Sequence, residues 1–144
     1  MKVSNNFIIQ EFIPPGIWDK FGESSIWFID QRVITFAQFL RDRYGKAITI
    51  NDWHSGGNRN QSGLRYWSTG VGASMSQHKF GRAGDLKWLQ DPMVMDEIRE
   101  DIKRNQQLFI RAGLTTVELG TETWIHGDCR WTNKNGIYFI PYYK

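Results

Sequence analysis

The sequence predicts an α+β domain in which helices pack on a mainly antiparallel sheet. Three observations predict it. Residues 31–44 and 92–112 repeat apolar side chains at helical spacing. Residues 47–51, 115–119 and 123–130 read as strands, and Gly120-Thr121-Glu122 joins the last two into an antiparallel hairpin. The chain has 144 residues, 40% of them hydrophobic, which suits one domain spanning 1–144 with a sizeable core.

Residues 7–29 come first and are crowded with large apolar side chains, including Phe7, Ile9, Phe12, Trp18 and Phe28. Pro14, Pro15 and Gly16 interrupt them, so a short helical turn near 16–21 and an irregular layer over the core are expected. Asp30 is a suitable N-cap for the helix 31–44 and Gly45 a suitable stop. Its stripe of Val33, Phe36, Ala37, Leu40 and Tyr44 reads as core. The strand 47–51 leads to a loop, 54–76, rich in Gly, Asn and Ser; a loop of that length in a compact domain is usually functional. Asp91 and Pro92 read as the cap and first turn of the helix 92–112, which Gly113 ends. After the hairpin, Asn133, Asn135 and Gly136 form a turn before a last short strand, 137–140.

Composition narrows the class. The net charge of +3 suits an anionic polymer, but no basic, aromatic-interleaved patch suggests nucleic acid as a partner. One cysteine, Cys129, excludes an intramolecular disulfide framework and reads as a small buried residue. No stretch is long and apolar enough to span a membrane, and the first residues lack the pattern of a secretory signal. The chain is therefore expected to start in the cytoplasm, with no membrane insertion and as a monomer. No phosphate loop, dinucleotide fingerprint or G-x-S-x-G elbow occurs.

The chemistry concentrates in Ser76-Gln77-His78-Lys79-Phe80-Gly81-Arg82-Ala83-Gly84-Asp85, which reads S-x-H-x-x-G-x-A-x-D. Zinc accepts imidazole nitrogen and carboxylate oxygen, and Gly81 permits the turn that brings the two together. A third ligand must come from elsewhere, and His126 stands in the strand-like Thr123-Trp124-Ile125-His126-Gly127-Asp128. The expected metal set is His78, Asp85 and His126, with a fourth position open. Period two puts Trp124, His126, Asp128 and Arg130 on one strand face, so Asp128 is expected near the metal. Trp53, Trp67, Trp124 and Trp131 are candidates for cleft walls, and His54 reads as a loop hydrogen-bonder.

The ten-residue string, followed about forty residues later by W-x-H-x-D, resembles the zinc D-alanyl-D-alanine carboxypeptidase family. That family includes phage peptidoglycan endopeptidases, and its zinc site resembles that of the hedgehog signalling domain. The resemblance covers roughly Ile48 to Arg130 and implies the corresponding hedgehog/peptidase-like fold. It also implies a zinc-dependent peptidase cutting peptidoglycan stem peptides or cross-links, acting at the bacterial cell wall after release. An arginine upstream of the first ligand binds substrate in the family; Arg65 matches it, with Arg59 as the alternative. Many members carry glutamate three residues before the last histidine as general base. Thr123 stands there in this chain, which leaves Asp128, then Glu122, as candidates, with Glu118 farther back. The same departure supports a second expectation: an inactive zinc-binding structural or interaction module.

Overall fold

The computed structural model describes residues 1–141. Pro15 opens helix α1 (Pro15–Phe21), where its missing N–H costs no hydrogen bond, and Gly22 closes it with φ 53°. A 3₁₀ stretch, Gly22–Phe28, follows and leads to helix α2 (Gln31–Tyr44). The Asp30 carboxylate accepts from the Arg32 amide at 3.0 Å, and Gly45 ends α2 in the left-handed region at φ 63°. Both ends of this helix coincide with the sequence expectation. Its buried face of Val33, Phe36, Ala37 and Leu40 joins Phe7, Ile9, Phe12 and Ile13 of the N-terminal layer in one core. Truncating the fully buried Phe36 to alanine would cost about 3–5 kcal/mol.

The expected helix 92–112 is two helices. Helix α3 (Met95–Arg104) starts three residues later than Pro92, and helix α4 (Gln106–Arg111) follows a break at Asn105. Asn105 has φ −126° and ψ 36°, and its amide bonds the Asp101 carbonyl and carboxylate. This local side-chain bonding competes with the helical ladder and turns the chain so that Phe109 reaches the core.

Among the described residues, four strands form the sheet: β1 (Ala83–Leu86), β2 (Thr116–Glu118), β3 (Ile125–Asp128) and β4 (Tyr138–Ile140). Their order is β1-β3-β2-β4. β3 pairs antiparallel with both β1 and β2, so the expected hairpin is present, while β4 lies parallel to β2. The sheet is thus mixed. The expected strand 47–51 is not formed: only Thr49 pairs, with Lys87, through bonds of 2.8 and 3.0 Å. Asn51 instead donates its amide to the Glu11 carbonyl, which draws the segment towards the N-terminal layer.

Alternation gives the sheet two faces. Leu86, Val117 and Ile125 lie in the core, and Gly127 packs against Leu114 and Phe36. Asp85, His126 and Asp128 take the other face, which the loop 54–76 borders. Among the described residues, no helix is long and apolar enough to cross a membrane.

Candidate metal centre

His78 sits in a 3₁₀ turn (Gln77–Phe80) that the sequence closes at both ends. The Ser76 hydroxyl accepts from the His78 amide at 3.3 Å, and Gly81 exits at φ 67°. A side chain at Gly81 would run into the backbone of Phe28, so the close approach itself requires glycine. Asp85 and His126 face each other across the β1–β3 pair in register. The Asp85 amide donates to the Ser62 carbonyl at 2.7 Å, which ties the strand to the loop.

These elements bring three donor atoms together. His78 Nε2 lies 3.2 Å from Asp85 Oδ1 and 3.2 Å from His126 Nδ1, and His126 Nδ1 lies 3.0 Å from Asp85 Oδ1. Donors held tetrahedrally at about 2.0–2.2 Å from one ion stand roughly 3.3–3.6 Å apart, so this triangle needs only a slight opening to take one. All three residues are buried.

The outward nitrogens fix the inward ones. His78 Nδ1 donates to the Gly63 carbonyl at 2.7 Å, and His126 Nε2 donates to Asp128 Oδ2 at 3.0 Å. When both imidazoles are neutral, each directs its lone pair inward, beside a carboxylate oxygen. Three such acceptors facing one point can share a metal ion or, in its absence, a proton. The same demand appears in the protonation of the residues. Burial opposes a charge on His126, but hydrogen bonds to Asp128 and Asp85 outweigh it and hold its pKa up to about 9. Burial likewise opposes the Asp85 charge, yet His126 and His78 keep its carboxyl well below the usual range. The donor set fits a metal ion.

The triangle opens onto a cavity of about 370 Å³, also lined by Arg65, Glu118, Trp124 and Arg130. Arg65 Nη2 reaches Asp85 Oδ2 at 3.1 Å and its Nε donates to the Gln61 carbonyl at 2.8 Å. Arg59 instead pairs with Asp52 at 2.9 Å and does not line the cavity, which Arg65 does.

Asp128 is fully buried behind His126, not at the cavity wall. Its oxygens accept from Arg130 at 2.9 and 2.5 Å as well as from His126. Burial works against its charge, but these partners depress its pKa. A carboxylate so committed orients an imidazole and has no free approach to solvent. Glu122 does not join the cluster; it lines a separate cavity with Arg99 and Met95. Glu118 lines the cavity with a half-exposed carboxylate, 3.9 Å from His126 Nε2. The signal for it lay in the hairpin register. Thr116 pairs with Asp128 and Val117 with Gly127, so one more step puts Glu118 level with His126 on the same face.

Of the four candidate wall tryptophans, only Trp124 lines this cavity. Trp53 donates its indole N–H to the Ile13 carbonyl, Trp67 lies in a neighbouring groove, and Trp131 is solvent-exposed. His54 stacks edgewise on Trp53 outside the cluster. Cys129 is buried and free, with its thiol pKa pushed up to about 12 by burial, which leaves it inert. A larger groove of about 840 Å³ runs between the N-terminal residues, α2 and α4, but among the described residues no metal-binding group of side chains lies there.

Comparison of the chain with protein-family models, with curated proteins and with solved structures finds no match.

Proposed function

We propose that the chain is a zinc-dependent peptidase acting on the stem or cross-linking peptides of peptidoglycan. One observation carries the reading: two imidazoles, each held in a single tautomer, converge with one carboxylate at the floor of an open cavity. Two nitrogens and one oxygen suit zinc better than magnesium or calcium, which prefer oxygen donors throughout. Three protein ligands beside an accessible cavity are the arrangement of catalytic rather than structural zinc. The peptidoglycan substrate, and action at the bacterial cell wall, follow from the resemblance of the S-x-H-x-x-G-x-A-x-D and W-x-H-x-D strings.

When bound, zinc supplies Lewis acidity to the scissile carbonyl and its water. His78, Asp85 and His126 would hold the ion. Arg65 fixes Asp85 and presents positive charge to the carbonyl or carboxylate of the substrate. Asp128 and the Gly63 carbonyl orient the two imidazoles. Glu118, rather than the expected Asp128 or Glu122, would take the proton of the attacking water and return it to the leaving amine.

Zymography on purified peptidoglycan tests the proposal. Clearing that a chelator abolishes and zinc restores is the expected result. Metal binding with no clearing under any condition would favour the inactive module instead.

A further inference from the structure

Beside the metal cavity lies a second depression of about 430 Å³, and Arg65 lines both. Its walls are aromatic. Phe21 and Phe28 form an edge-to-face pair at 4.9 Å on one side, and Trp67 and Phe80 form another at 5.2 Å on the other. Trp27 stands at the rim, 79% exposed, and Trp67 is 59% exposed. A chain that buries Phe7, Phe12, Phe36 and Phe109 completely has no folding reason to leave these rings in water. Exposed apolar patches of this kind mark binding surfaces.

The charged groups that line the groove have one sign. Arg65 and Lys79 line it, Lys20 lies 5.3 Å from the centre of the Phe21 ring, and Arg82 lies 4.7 Å from that of Phe80. Among the described residues, no aspartate or glutamate lines it. The occupant is therefore amphipathic, ring-bearing and anionic. A second copy of this chain fits poorly, because a symmetric contact would set like charges against each other. A bilayer fits poorly as well, since a groove between two walls receives a strand rather than a flat surface.

We infer that this groove binds the glycan strand of the polymer whose peptide enters the metal cavity. The inference rests on the peptidase reading for the identity of the polymer. Pyranose rings present an apolar C–H face that packs on aromatic rings, while hydroxyls and carboxylates at their edges meet water and the surrounding cations. A cavity of about 370 Å³ takes a short peptide segment, so the sugar chain that carries it must lie outside. Arg65 stands where the two spaces meet. The groove then supplies binding energy remote from the reacting bond, which positions a polymeric substrate and leaves a free peptide unaffected.

The test measures binding of peptide-free glycan strands to the zinc-loaded chain by isothermal titration and by quenching of tryptophan fluorescence. Trp27→Ala and Trp67→Ala are the variants, and Trp67→Phe is the conservative control. Each alanine variant is expected to bind strands about tenfold more weakly, the scale of one lost aromatic stacking contact, while Trp67→Phe retains most of the affinity. Hydrolysis of a sugar-free stem peptide is expected to stay unchanged in all three. Wild-type affinity in both alanine variants, or no strand binding at all, overturns the inference. So does loss in the variants of binding to phosphatidylglycerol vesicles, or of self-association, in a chain that ignores glycan. A chain that binds strands through Trp27 and Trp67 but cleaves no stem peptide would uphold the groove and remove the peptidase reading.

Discussion

His78, Asp85 and His126 carry the heaviest claim at the scale of single residues. The purified protein should hold about one zinc per chain, and alanine at any of the three should lower that content in elemental analysis. Full zinc in all three variants would eliminate the centre. In the proposed mechanism Glu118 and Asp128 divide the remaining work, and two substitutions separate them. Glu118→Gln should keep zinc and lower hydrolysis by roughly 10²–10⁴-fold, the range for a lost general acid–base group. Asp128→Asn should instead weaken zinc binding by roughly 10–100-fold, with activity returning when zinc is added in excess. The opposite pattern, with Asp128→Asn zinc-replete but dead and Glu118→Gln active, would restore the proton-transfer role to Asp128. The three donors were legible in the sequence because ligand chemistry is confined to few residue types and only three histidines exist. Glu118 was harder to single out. Its place depends on strand register across a hairpin, and register is set by pairing that the linear order does not state.

Elements were legible where local chemistry decides them. Helix α2 has a cap at Asp30, an uninterrupted apolar stripe and a left-handed Gly45, so its limits follow from the chain itself. The helix expected over 92–112 was over-extended because Asn105 acts through a contact local in sequence but formed by the side chain of Asp101. Asp101 is the joint between α2 and α3. Its carboxylate accepts from Arg43 at 2.6 and 2.7 Å, from the Tyr44 hydroxyl at 2.6 Å and from Asn105 at 2.8 Å. The Arg43 guanidinium, against the opposing effect of burial, holds its pKa down to about 2. A carboxyl depressed on folding stabilises the protein above its unfolded pKa of about 3.9, and that stability is lost as pH falls through about 2. Asp101→Asn should therefore lower unfolding free energy by about 1–2 kcal/mol at neutral pH, after allowance for solvent screening. The gap between variant and wild type should close in urea titrations as the pH is taken from about 4 to about 2. A gap independent of pH would mean that shape rather than charge holds the joint.

The whole molecule is arranged so that an irregular N-terminal layer braces the loop from which the centre is built. Sequence periodicity saw the layer's apolar content but not its contacts, because 3₁₀ turns and extended segments have no repeating signature. Those contacts form a continuous path. The Leu64 amide donates to the Phe12 carbonyl at 2.7 Å, and Gly63 packs so closely on the Phe12 backbone that a side chain there would clash. Asn51, fully buried, spans the same gap. Its Nδ2 donates to the Ile13 carbonyl at 3.0 Å, and its Oδ1 accepts from the Ser62 amide at 2.9 Å. The Ser62 carbonyl in turn accepts from the Asp85 amide, and the adjacent Gly63 carbonyl holds His78. Asn51 thus touches no donor atom of the centre, yet it positions the loop that aligns two of them. Asn51→Leu keeps the branched shape of the side chain and deletes both bonds. The Ile13 carbonyl keeps its bond from the Trp53 indole, whereas the Ser62 amide is stranded in a partly buried site. The expected cost is about 1–3 kcal/mol in denaturant unfolding, the penalty for one unpaired buried group. Zinc affinity should fall by about tenfold with it, because an outer contact that orients ligands acts on the metal at that scale. Competition with a chromophoric chelator reads the affinity directly. A stability loss with unchanged zinc affinity would show that the centre is held by β1 and β3 alone and that the N-terminal layer only covers the core.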